Sequence, residues 1–170
     1  VLTAADLAWL AGPLLVYAAL HDLAARTVPN WLPVALLVIG LAARFADHTL
    51  VDGLLVAACT FAVLFALWIL GLMGGGDVKL WAASALLIQP LLQSELNFIL
   101  DVVLAGGVLA LVYLVLFRLI KRPRASREGG LVRRALRAEA WRIFRRAHLP
   151  YACAIAGGAL VSLLPLSSQR

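Results

Sequence analysis

The chain has 170 residues, of which 64% are hydrophobic and 14% charged, with 15 Lys and Arg against 9 Asp and Glu for a formal net charge of +6. So apolar a composition leaves too little polar surface for a soluble globule and marks a polytopic membrane protein. At roughly 20 residues per helical crossing, this length accommodates at most six or seven spans plus short loops. One bundle over residues 1–170, without a separate soluble domain, is expected.

The first apolar run, residues 5–22, has no basic leading region and no small-residue cleavage site, so it reads as a retained helix rather than a secretory signal. Further runs follow at residues 31–46, 52–73, 77–93, 99–120 and 149–166. The fourth is short and holds Ser84, Gln89 and Pro90, so it either crosses only in part or lies inside the protein rather than against lipid. Trp9, Trp31, Trp68, Trp81 and Tyr151 fall near span ends, where amphipathic rings settle at the interface. The predicted fold class is all-α: a bundle of six transmembrane helices, with a basic amphipathic helix between the fifth and sixth.

That basic stretch, Lys121 to Arg146, carries ten positive residues against Glu128 and Glu139, a net of +8. Between Leu131 and Phe144 its apolar residues recur at helical spacing with arginines interleaved, the pattern of a helix lying on anionic lipid headgroups. Nucleic acid is not the expected partner, since topology already accounts for the charge. On an alternating six-span path, Arg26, Lys79 and the segment from Arg118 to Arg146 share one face, leaving only Arg44 and Arg170 opposite. The positive-inside rule makes the first face cytoplasmic and places both termini outside.

Two acidic residues then stand out. Asp22 ends the first span and Asp77 opens the fourth from the same side, so both carboxylates belong at one depth near the cytoplasmic face. Carboxylates in or beside hydrocarbon cost roughly 2.5 to 3.5 kcal/mol, so a pair there calls for a function. Two close carboxylates cannot both ionise easily; one keeps a proton while the other accepts one, which suits water-activated hydrolysis of a peptide bond. Plainer readings stand beside this one. Asp77, after Gly74, Gly75 and Gly76, looks like a helix N-cap, and Asp22 could form a surface ion pair with Arg26. Asp6, Asp47, Asp52, Glu95 and Asp101 map to the outer side or near it and read as caps or solvated ends.

Other chemistries lack their signatures. Cys59 and Cys153 lie in apolar runs as small hydrophobes, and there is no CxxC pair. His21, His48 and His148 are scattered without an HExxH string, and no GKS or GKT follows the glycines. Neither a metal nor a cofactor is expected.

The strings DLAARTVPN at residues 22–30, GGGDVKLWAA at 74–83 and LPYACAIAGG at 149–158, in this order, resemble the type IV prepilin peptidases, membrane aspartyl proteases of the GxGD class. The likeness is to the short forms that serve tight-adherence (Flp) pili. The resemblance implies that Asp22 and Asp77 are the catalytic dyad, with Gly74, Gly76 and Lys79 completing the motif around the second aspartate and Pro29 and Asn30 the loop after the first. It implies a prepilin substrate, cut in the bacterial inner membrane on the cytoplasmic side after a glycine that precedes the apolar pilin helix. The cysteine-rich region of the long, methylating forms has no counterpart in this sequence, so cleavage without methyl transfer is expected. Residues 151 and 152 read Tyr-Ala where Tyr-Gly belongs to the pattern, a small change in helix packing. The rival reading is a small ion- or proton-coupled transporter subunit or pilus-assembly scaffold, with the aspartates holding an ion.

Overall fold

A computed structural model describes residues 3–119, 131–144 and 149–164, and among these it contains seven helices and no strand. They are α1 (Ala4–Ala25), α2 (Trp31–Ala46), α3 (Leu50–Ile69), α4 (Gly75–Ala85), α5 (Leu92–Leu119), α6 (Leu131–Phe144) and α7 (Tyr151–Leu163). They group into two compact units, Val1–Gly106 with Pro150–Arg170, and Gly107–Leu149.

The first unit is built around its shortest helix. α4 packs against α2, α3 and α7, while α1 packs against α2 and α7. Every residue from Leu80 to Ile88 except exposed-side Lys79 before it is buried, together with Val78. At 11 residues α4 is about 16 Å long, too short to cross a bilayer, and its interior position matches the second of the two readings of this segment. The chain leaves it through turns at Leu86 to Leu91, so residues 77–93 are not one span. Ser84, fully buried, satisfies its hydroxyl by donating to the Leu80 carbonyl at 2.8 Å.

α3, with 20 residues, and α5, with 28, are long and apolar enough to cross a membrane; the other apolar helices are shorter. Both expose their aliphatic and aromatic side chains, among them Phe61, Phe65, Leu100 and Leu104. Such an outward apolar surface is what lipid requires and water penalises. α3 ends earlier than the predicted residue 73, because Gly71 takes a left-handed φ of 71° and turns the chain toward Gly74.

Small residues let the helices approach. A Cβ on Gly158 of α7 would lie 2.6 Å from the Val102 side chain and 2.7 Å from the Val102 main-chain nitrogen on α5. A Cβ on Gly40 of α2 would lie 2.6 Å from Leu86 Cβ. Van der Waals packing of this kind replaces the hydrophobic effect between helices in lipid.

Several charged residues are not where the sequence suggested. Arg44, assigned to the outer face, is 1% exposed: it meets Asp47 at 3.4 Å and donates to the Thr49 hydroxyl at 3.4 Å. Its stem fills the space beside Gly53. Glu95, read as a solvated end, is buried within electrostatic reach of Arg44. Burial of one charge demands the other, which single residues in a sequence do not reveal. Asp101 accepts a hydrogen bond from Ser162 of α7 at 2.9 Å. Cys59, expected inside the protein, is exposed on α3, and Cys153 donates its thiol to the Ala19 carbonyl at 3.2 Å; both are free thiols.

In the second unit, the Tyr113 hydroxyl of α5 donates to Glu139 of α6, whose other carboxylate oxygen accepts from Arg142 at 3.2 Å. Trp141 meets Phe144 edge to face. The helix expected between Leu131 and Phe144 is present with those bounds. The rest of the basic stretch, residues 121–130, 145 and 146, lies outside the described residues.

The two adjacent glycines of α7 provide a test of this packing. Gly158→Ala should lower the melting temperature in detergent, by the equivalent of about 1 to 3 kcal/mol for an overpacked contact. Gly157→Ala, with nothing within 4 Å of the added methyl, should leave it unchanged or raised. Equal melting temperatures for the two variants would contradict the close α5–α7 approach.

Candidate active site

Asp22 lies in the last turn of α1 and is 5% exposed. The helix stops three residues later because Arg26 adopts a left-handed conformation, φ 57°, with its main-chain N–H donating to the Asp22 carbonyl at 2.8 Å. The chain then doubles back through residues 27–30. Pro29 starts the return, its carbonyl accepting from the Leu32 N–H at 3.1 Å. Asn30 precedes α2 but its side chain makes no cap; Oδ1 instead accepts from Lys79 Nζ on α4 at 3.2 Å.

Asp77 reaches the same place from the other side. Gly74 is the extended residue before α4, φ −73° and ψ 140°, and makes Asp77 the third helical residue. Asp77 is therefore not the N-cap that its neighbours suggested, and no side chain caps the helix. The glycines matter for what stands where their side chains would be. A Cβ on Gly74 would sit 2.9 Å from Asp77 Oδ2, and a Cβ on Gly76 would sit 3.2 Å from Val28 Cβ. The first absence leaves the carboxylate room; the second lets the loop after Asp22 rest on the helix that carries Asp77.

α7 completes the site. Pro150 precedes it and offers no side-chain cap, so the first N–H groups of the helix lack partners. Asp22 Oδ2 supplies one, accepting from the Ala152 N–H at 3.0 Å. A carboxylate at a helix N-terminus also meets the positive end of the helix dipole. Tyr151, the first residue of α7, has its ring 6.2 Å from that of Trp81, with interplanar angle 30°, and lies within electrostatic reach of Asp77.

The two carboxyl groups act on each other. Asp77 lies in the first turn of a helix too short to span the bilayer, and burial, with the Asp22 charge as a second cause, pushes its carboxyl up to about 6. A group so placed holds a proton that an ordinary aspartate would have lost. Among the described residues, no cluster of three or more His, Cys, Asp or Glu is arranged to hold a metal ion.

All seven residues singled out in the sequence thus fall in two short segments that meet: Asp22, Pro29 and Asn30 on one, Gly74, Gly76, Asp77 and Lys79 on the other. Three participants were not singled out. Val28 and the Ala152 N–H act through a methyl surface and a peptide group, which carry no side-chain signature. Tyr151 was noted as an interfacial ring and, with Ala152, as a departure from the family's Tyr-Gly pattern, without a place in the site. The available signal was Pro150, which announces a helix start with unsatisfied donors.

A model described as the type IV leader peptidase family matches residues 9–118, a stretch that includes both aspartates and ends before α7. No curated protein and no solved structure matches the chain. With well over half of its length matched, and with both acidic segments inside the match, the chain belongs to the type IV leader peptidase family.

Proposed function

We propose that this leader peptidase is an aspartyl endopeptidase in which Asp22 and Asp77 together activate water. The observation that carries the reading is the electrostatic influence of buried Asp22 on half-buried Asp77, carried by separate helices. Asp22, whose Oδ2 accepts from a main-chain N–H, is suited to act as the base. Asp77, whose carboxyl is raised to about 6 and so holds its proton to higher pH than an ordinary aspartate, is suited to act as the acid.

In the proposed reaction, the water oxygen bonds to the carbonyl carbon as Asp22 takes the water proton. Asp77 hydrogen-bonds the carbonyl oxygen and bears the charge that develops there. Collapse of the tetrahedral species breaks the C–N bond, and the departing amine receives the proton held by the pair. Gly74 keeps the approach to Asp77 open, while Gly76, by admitting Val28, and Lys79 with Asn30 tie the two acidic segments together. No cofactor takes part.

The substrate we propose is the leader of a prepilin-like precursor of the type IV or Flp class, cut at the cytoplasmic face of a bacterial inner membrane. Family membership supports a prepilin-like substrate, and the excess of Lys and Arg on one face supports the orientation. The +8 stretch from Lys121 to Arg146 would rest on anionic headgroups on that side.

Replacing either acid, Asp22→Asn or Asp77→Asn, should abolish cleavage of a membrane-anchored prepilin while the protein still folds and inserts; full activity in either variant would remove the dyad. Activity should follow a bell in pH. The acidic limb appears where both carboxyls are protonated, and the alkaline limb where the raised Asp77 loses its proton, beginning near the value of about 6 and governed by the macroscopic constants of the pair. A profile flat from mildly acidic to alkaline pH would contradict the acid role. For orientation, Ala125→Cys in a background without Cys59 and Cys153 should react with an impermeant thiol reagent only from the cytoplasmic side.

A further inference from the structure

The loop that follows Asp22 is closed by a residue that the proposed chemistry does not use. His21 immediately precedes Asp22, and its Nδ1 lies 2.8 Å from the Thr27 carbonyl oxygen. A carbonyl only accepts, so Nδ1 carries the hydrogen and donates it. The ring is held from one side by Tyr17, centroid to centroid 5.7 Å, and Tyr17 in turn meets Trp31 at 5.6 Å. α1, the loop and the start of α2 are thereby joined at three points around one turn.

The position of this turn determines where the two acids meet. One residue beyond Thr27, Val28 rests against Gly76, and three beyond, Asn30 accepts from Lys79. Both contacts fall on the first turns of α4, on either side of Asp77 in sequence. With Arg26 in a left-handed conformation, the loop has a backbone that its own residues do not favour, so a bond across it is needed to hold one geometry.

We propose that His21 is a positioning residue of the leader peptidase: its Nδ1–H bond to Thr27 fixes the turn that seats Val28 and Asn30 on α4, and so sets the placement of Asp22 against Asp77. The inference rests on the aspartyl reading for its catalytic consequence, but the seating of the loop is a separate, directly measurable property. His21 neither touches the reacting atoms nor exchanges a proton in the reaction.

Asparagine distinguishes this role from others, because its Nδ2 occupies the place of imidazole Nδ1 and donates likewise. His21→Ala should lower kcat by on the order of ten- to a hundredfold, as misplacement of a catalytic group does, with KM little changed. His21→Asn should restore most of kcat. In a background lacking Cys59 and Cys153, the pair Val28→Cys and Gly76→Cys should form a disulfide under mild oxidation, since the two Cβ positions are 3.2 Å apart. That cross-link should form more slowly with His21→Ala and recover with His21→Asn. Unchanged cross-linking in His21→Ala, or an Asn variant as impaired as Ala, would overturn the proposal. Failure of the aspartyl reading would look different: Asp22→Asn would retain activity, whatever the cross-link reported.

Discussion

A single hydrogen bond connects the parts of the first unit on which the site depends. Asp22 ends one helix and caps another, accepting the Ala152 N–H that Pro150 leaves without a partner. A buried carboxylate without donors would be costly, and so would a buried helix start without an acceptor; each removes the penalty of the other. The same arrangement brings α1 and α7 together at the point where α4 presents Asp77. Folding and the proposed chemistry therefore draw on one side chain.

Around this junction the first unit sets its other helices about a short, mostly buried one. α4 is too short to join the two membrane surfaces; its Ser84 hydroxyl is satisfied inside its own helix, and the glycines at its start admit Val28 of the loop after Asp22. Buried small residues, Ala82, Ala83 and Ala85 on α4 and Ala152, Ala154 and Ala156 on α7, make the interior narrow. The proposed proton-sharing pair of acids would need such surroundings, since bulk water would bring their affinities together.

The sequence made part of this legible. The apolar runs located all the membrane-scale helices, since hydropathy is a property of local stretches, and Asp22 and Asp77 were evident because charge is rare in such runs. Sidedness counting brought them to the same depth without saying that they meet. What escaped the sequence was what depends on partners. Glu95 is buried because Arg44 is within electrostatic reach, and Cys59 is exposed because α3 offers lipid its small face as well as its large one. The fourth run was recognised as anomalous from Ser84, Gln89 and Pro90, yet its division into an interior helix and a turn is a matter of tertiary packing. Asp77 resembled a cap because glycines precede both caps and first-turn residues; only the backbone angles of Gly74 separate the two.

The bond that Ala152 makes to Asp22 belongs to a peptide group. Either glycine or alanine can therefore make this bond, provided the residue is compact enough for a fully enclosed spot. Only an imino acid would forfeit the donor. A contact to an acidic side chain can thus persist through substitution of the very residue that makes it.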